Sequence, residues 1–238
     1  MLFIFRQLRR LELHKRSGRY FLYAFGEIAL IMVGILLALQ VSEWNQARKD
    51  RAREEILLAE LVSNLQTNIT NLEGDIEYQV RSAETMRYLL SHLDQKLPYD
   101  ESLNSKFWES DFVTDVILTS SAFETLKSIG LDVISSDSLR REIINLFEVT
   151  YPHLLAETVR LENQTWPAVV VPMFQKHFRK DVRNSYLPID YDALLEDKEF
   201  TNMLSFRMTL RDYSTEQKQN AVKKTQEVID LIQAELER

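Results

Sequence analysis

Residues 20–41 read YFLYAFGEIALIMVGILLALQV, and the rest of the chain is read from this run outward. Its 22 residues hold one ionisable side chain, Glu27, and one other strongly polar one, Gln40. As a helix rising about 1.5 Å per residue the run extends ~33 Å, enough to cross a hydrocarbon core of ~30 Å. It is too long for the apolar region of a signal peptide, and Gln40-Val-Ser-Glu-Trp44 is a poor cleavage site. The expectation is an uncleaved transmembrane helix over residues 20–43. Tyr20 and Tyr23 at one end and Trp44 at the other are placed as interfacial anchors, with Arg16 and Arg19 beside the headgroups.

The charge distribution agrees with an anchor. The chain carries −7, of which the first 19 residues supply +5, leaving −12 for the remainder. Six Lys/Arg precede the run, and four follow it closely at Arg48, Lys49, Arg51 and Arg53. The positive-inside rule therefore puts the N-terminus in the cytoplasm and residues 44–238 across the membrane, in the periplasm of a Gram-negative cell. Residues 1–19 form a basic juxtamembrane segment whose arginines meet anionic lipid while Leu2, Phe3, Phe5, Leu8 and Leu11 lie on the bilayer. Nucleic acid is not an expected partner, because the acidic body would repel phosphates and no recognition motif follows the basic stretch.

A carboxyl inside a span is costly and usually faces protein or water. At 100° per residue, Gly34, Ala38 and Asn45 fall within about 20° of Glu27 around the helix. This stripe contains the small-xxx-small pair Gly34 and Ala38, which lets a second helix approach closely while polar groups pair across the contact. Its functional reading is a contact face for other transmembrane helices, of a complex or of a second copy. The bland reading is that Glu27 snorkels to the headgroups and has no partner.

Beyond Trp44 the pattern stays helical. Leu58, Leu61, Leu65, Ile69, Leu72, Ile76, Val80 and Ala83 step by three or four residues, and only Gly74 interrupts Ala47–Leu93. Leu58, Leu65 and Leu72 share one heptad position, although an ordinary long helix packing on its own domain is the favoured reading. A shorter helix is expected over 102–118. Ser121-Ala-Phe-Glu124 reads as a capping box opening a helix that closes at Gly130. Another starts at Ser136 or Asp137 and ends before Pro152. Trp166-Pro-Ala-Val-Val-Val-Pro-Met173 is the best candidate for a break, kink or short extended piece. Residues 197–238, free of Gly and Pro, form a long helix antiparallel to 47–93. The fold class is thus all-α: one N-terminal transmembrane helix continuing into a long helix of a soluble antiparallel helical bundle. The domains are residues 1–19, the span at 20–43 and a periplasmic helical domain at 44–238.

The search for chemistry returns little. With no Cys the chain has no disulfide, thiolate nucleophile or Cys-ligated metal. His14, His92, His153 and His177 stand apart, without HExxH spacing, and no glycine-rich phosphate loop or GxSxG elbow is present. No catalytic, cofactor-binding or metal-binding residue is assigned, and no cofactor is expected. Asp111 and Asp115, like Arg141 and Glu142, read as a solvated face. Phe107, Trp108, Phe112, Trp166, Phe174, Phe178 and Tyr186 have two readings: the lining of a ligand groove, or simply core.

The run Tyr23–Gln40 followed by Trp44-Asn45, and the later Ser121–Gly130 and Ile134–Arg140, resemble an uncharacterised family of single-span membrane proteins found in some Gram-negative bacteria. The resemblance implies an envelope protein and brings no activity with it. The leading expectation is a non-enzymatic accessory or scaffold subunit of an inner-membrane complex. The alternative is a periplasmic sensing or signalling module acting through a separate output protein, since only 19 residues precede the span. An enzyme of unrecognised type ranks third, with no constellation to support it.

Overall fold

The fold was taken from a computed structural model that describes residues 2–181 and 183–237, with side chains from residue 25 onward. The chain divides into two compact units, residues 1–53 and residues 54–238. Helix α1 (Leu2–Asp94) is continuous. It has no proline, and its four glycines lower helix propensity without breaking it. Gly74 sits in its middle on the exposed side without breaking it. One stretch of α1 is long and apolar enough to cross a membrane, and its most apolar window buries none of its residues.

The second unit is all-α apart from one small hairpin. Its elements are α2 (Leu103–Asp111), α3 (Ser121–Ile129), α4 (Asp137–Asn145), α5 (Tyr151–Thr158), α6 (Val171–His177), β1 (Phe178–Asp181), β2 (Ser185–Pro188), α7 (Tyr191–Glu196) and α8 (Lys198–Leu236). Strands β1 and β2 pair antiparallel, with Lys180 opposite Tyr186. The hairpin is absent from the expectation, which put a break, kink or short extended piece at 166–173. There the chain forms a wide π-helical turn, Trp166–Val170, running straight into α6. Similar wide turns span Leu146–Thr150 and Val159–Asn163. The helix expected to stop before Pro152 therefore continues past it. A proline lacks the N–H that closes an α-turn, and a widened turn absorbs both the missing donor and the ring.

Helices α1 and α8 form the antiparallel frame. Arg87 lies 3.7 Å from Asp212, and Lys218 pairs with Asp75. In α1 the buried positions include Glu54, Leu58, Leu61, Leu65, Asn68, Leu72, Asp75, Gln79, Ser82, Met86, Leu89 and Leu93. Those positions alternate steps of four and three over 40 residues. In α8, Phe200, Leu204, Arg207, Arg211, Ser214, Lys218, Ala221, Thr225, Val228, Ile232 and Glu235 do the same. This is the 3.5-residue repeat of a coiled-coil seam. The expected apolar path through Ile69, Ile76 and Val80 is not the buried one; Val80 is 42 % exposed. The seam runs instead through polar residues that apolar periodicity does not register.

The polar stretch divides the core. One apolar cluster joins Leu57–Leu65 of α1 to α3, α4 and Val228–Ile232 of α8. Another joins Met86–Leu93 to Leu103, Phe107, Phe174, Phe178, Phe200 and Leu204. Between them lies a small cluster of Leu72, Leu154 and Ala221.

Candidate functional site

The site begins where α2 stops. A helix was expected over 102–118, but α2 ends at Asp111, and Phe112 turns extended at φ −65°, ψ 149°. Val113, Thr114, Val116 and Ile117 are β-branched and resist the helical rotamers. The segment from 110 to 119 then lies along the polar part of the seam, which satisfies its backbone. Asn68 of α1 donates from Nδ2 to the Thr119 carbonyl at 2.9 Å and accepts the Thr119 N–H at 2.6 Å. Asn71 donates to the Ile117 carbonyl at 3.1 Å. Arg207 of α8 donates to the carbonyls of Ser110, Asp111 and Phe112, and Arg211 donates to Phe112 at 2.5 Å. Buried backbone without partners would be expensive, so these side chains replace the ladder that helix or sheet would provide.

The same logic corrects the capping box. Ser120, the N-cap of α3, makes no side-chain cap bond. Asn64 of α1 accepts the Ala122 N–H at 3.1 Å and the Ser121 hydroxyl at 2.9 Å, so the helix start is capped from across the interface. Two other starts follow the sequence closely. Ser136 accepts the Leu139 N–H at α4, and Asp197 accepts the Glu199 and Phe200 N–H groups at α8.

A layer of buried charge backs the 110–119 segment. Arg211 meets Glu162 at 2.6 Å, Glu162 also accepts from Gln79 at 2.5 Å, and Thr114 donates to Asp75. Lys218 is fully buried against Asp75. Burial and the neighbouring Arg211 pull Arg207 down to about 10, which leaves it cationic at neutral pH. Burial pushes the Tyr78 hydroxyl up to about 12; its ring lies 5.9 Å from the Arg211 guanidinium carbon.

On the outer side of that layer opens a cleft of about 900 Å³. Its wall holds Trp108, Phe112, Trp166, Phe174, Phe178 and Tyr186, six of the seven aromatics singled out in the sequence. Phe107, the seventh, is core. The rings form a connected series, with Trp108 6.4 Å from Phe112 and 5.6 Å from Tyr186, and Tyr186 5.1 Å from Phe174. Both readings of this set are therefore realised at once: the rings are packed, and they face a cavity.

Asp111 holds the wall in place. Read from the sequence as solvated, it is 7 % exposed. Its carboxylate accepts from the Tyr186 hydroxyl at 2.6 Å and from Trp166 Nε1 at 3.0 Å. Burial, and then the bond to this carboxylate, push the Tyr186 hydroxyl well above its ordinary value, so it stays a donor. Asp115, by contrast, is exposed at the rim as expected, with Asn163 3.3 Å away. Lys180 reaches across from β1, its ammonium 4.7 Å from the centre of the Trp108 ring. Nothing in the spacing of the sequence marks Asp111; the only signal is that it closes a short aromatic-rich helix.

The residues expected to carry function in the membrane are not among those that line this cleft. Glu27, Gly34, Ala38 and Asn45 are all exposed on α1, and a Cβ added at Gly34 would meet nothing. Trp44 is exposed as well. Arg16, Arg19, Tyr20 and Tyr23 lie outside the residues whose side chains are described. Among the described residues, no three His, Cys, Asp or Glu side chains converge as a metal would need. His177 is buried 2.9 Å from Asp197, and His92 contacts the Pro98 carbonyl at 3.1 Å.

No curated protein and no solved structure matches the chain. One family profile matches residues 27–210, most of its length, from the apolar stretch of α1 through the cleft to the first third of α8. The chain belongs to the family of unknown function DUF6090.

Proposed function

We propose that this chain is a non-enzymatic accessory or scaffold subunit of the bacterial inner membrane. It is anchored by a single span at residues 20–43, with a cytoplasmic N-terminus and a periplasmic helical domain that docks on partners. One observation carries the reading: twelve large apolar side chains between Phe25 and Trp44 are exposed on α1, from Val33 at 53 % to Leu30 at 76 %. Leaving that many in water costs roughly 20–30 kcal/mol, which lipid removes. The basic residues ahead of the span set the orientation and meet anionic lipid. Glu27, Gly34, Ala38 and Asn45 form the face that meets other transmembrane helices.

The test is fractionation with topology mapping. The full-length chain is expected to stay in the membrane pellet after an alkaline carbonate wash. A cysteine introduced near residue 238 is expected to react with an impermeant thiol reagent added to intact spheroplasts. A soluble chain, or a tail labelled only in inside-out vesicles, overturns the reading. Glu27→Leu is expected to weaken co-assembly on native gels, and unchanged assembly removes the contact face.

A second reading has its own support. The aromatic cleft with a buried carboxylate behind it has the size and lining of a small-molecule site. It favours a sensing module that passes ligand binding to a separate output protein. Pull-down in mild detergent separates the two: structural subunits of a complex support the scaffold, and a kinase or regulator supports the sensor.

A further inference from the structure

Lys180 identifies the kind of ligand the cleft takes. Its ammonium rests over the face of Trp108 at 4.7 Å, so the cleft already seats a cation on an aromatic ring. The face of an indole carries negative charge density and attracts ammonium groups, more strongly where water is displaced. Among the described residues of the lining, the carboxylates are Asp111 and Asp115, against Lys180 as the one cation. Arg207, beneath the floor, is turned to the carbonyls of Ser110, Asp111 and Phe112 and is opposed by Asp111 and Glu162. Residues 20–238 carry −12, a field that draws cations in. A bare metal ion does not suit a wall made of rings, and among the described residues no cluster of His, Cys, Asp or Glu would ligate one.

We propose that the cleft binds an organic ammonium ligand with an apolar body. The body lies on Phe112 and Trp166, and the ammonium takes the Trp108 face by displacing Lys180 toward solvent. Lys180 is then an internal occupant that the ligand must replace. This rests on the cleft being a ligand site, whether or not the chain is also a scaffold.

The experiment uses the full chain in nanodiscs of zwitterionic lipid, with tryptophan quenching as the readout. The probes are benzyltrimethylammonium, its uncharged isostere neopentylbenzene, and phenylacetate. Benzyltrimethylammonium is expected to bind about tenfold more tightly than the neutral isostere. Trp108→Leu is expected to weaken it by about tenfold, and Asp115→Asn by about two- to threefold. Lys180→Met is expected to strengthen it about two- to fivefold, because the internal competitor is gone. Lys180 and Asp115 are exposed, so their variants carry the test even where Trp108→Leu fails to fold.

Tighter binding of phenylacetate, with loss on Lys180→Met, makes this an anion site and overturns the proposal. Equal binding of neopentylbenzene also overturns it while leaving a ligand cleft in place. If no probe quenches, the ammonium ligand and the ligand cleft fall together.

Discussion

Asp111 and Asp197 show how much one carboxylate decides in this chain. Asp111 terminates α2, anchors Trp166 and Tyr186, and lies against the Arg207 side chain. Asp111→Ala leaves the buried Tyr186 hydroxyl without its acceptor, at about 1–3 kcal/mol, while Trp166 Nε1 keeps the Asp111 backbone carbonyl at 2.8 Å. The expected loss is about 1–3 kcal/mol, read from urea unfolding of the full chain in detergent. Asp111→Asn retains an acceptor oxygen and is expected to lose about half as much. Asp197 caps α8 and meets Lys176 at 2.6 Å. The bond from Lys176 holds its carboxyl down to about 2, from the usual 3.8, against the opposing pull of burial. A depressed carboxylate stabilises the fold above its unfolded value, and the contribution disappears as pH falls through the folded one. Stability is therefore expected to fall between pH 3.8 and about 2. Asp197→Ala is expected to cost about 1 kcal/mol at neutral pH and to flatten that slope, as seen in denaturant titrations at several pH values.

Among the elements, the seam between α1 and α8 carries the fold and also its exception. Its middle is largely polar: Asn68, Asp75, Gln79 and Ser82 of α1 and Arg207, Arg211, Ser214, Lys218 and Thr225 of α8 are buried there, around the small cluster of Leu72 and Ala221. Several of these groups hold the 110–119 segment, so the polar middle is a consequence of laying an irregular segment along the two helices. The Asp75–Lys218 pair is the most exposed to mutation, in the energetic sense. Lys218→Met alone leaves a buried carboxylate and is expected to cost about 3–5 kcal/mol. Asp75→Leu combined with Lys218→Met removes both charges and is expected to recover most of that loss. Urea midpoints for the two single variants and the double variant check it; a double variant no better than the singles would mean that the bond from Thr114 to Asp75 matters more than the ion pair.

For the helical unit as a whole, two apolar clusters share the same pair of long helices. Trp108 and Trp166 pack only against the second cluster. Leu61→Ala in the first and Phe200→Ala in the second are each expected to cost about 2–5 kcal/mol. The sites have no common neighbour, so the two losses are expected to add. If the frame unfolds as one body, Leu61→Ala shifts tryptophan fluorescence and far-UV circular dichroism to the same new midpoint. A fluorescence midpoint that ignores Leu61→Ala would mean that the polar layer separates two independently unfolding halves.

What the sequence determines is set by local rules. An uninterrupted apolar run specifies the exposed stretch of α1, long proline-free stretches specify the helices α1 and α8, and Ser136 and Asp197 specify where helices begin. A resemblance to an uncharacterised family was legible too, and a family of unknown function matches residues 27–210. Tertiary structure decided the rest, because it depends on what comes near in space. Asn64 replaces the local cap of α3, the β-branched residues after Asp111 become an irregular segment held by Arg207 and Arg211, and wide turns carry helices past prolines. The aromatic set was visible as residues but not as a wall. Rings at 108, 166, 174 and 186 meet only when a buried aspartate, anonymous in sequence, accepts from two of them at once. A hydrogen bond between residues 75 positions apart has no signature in spacing, since its cost and gain arise only when both groups leave water together.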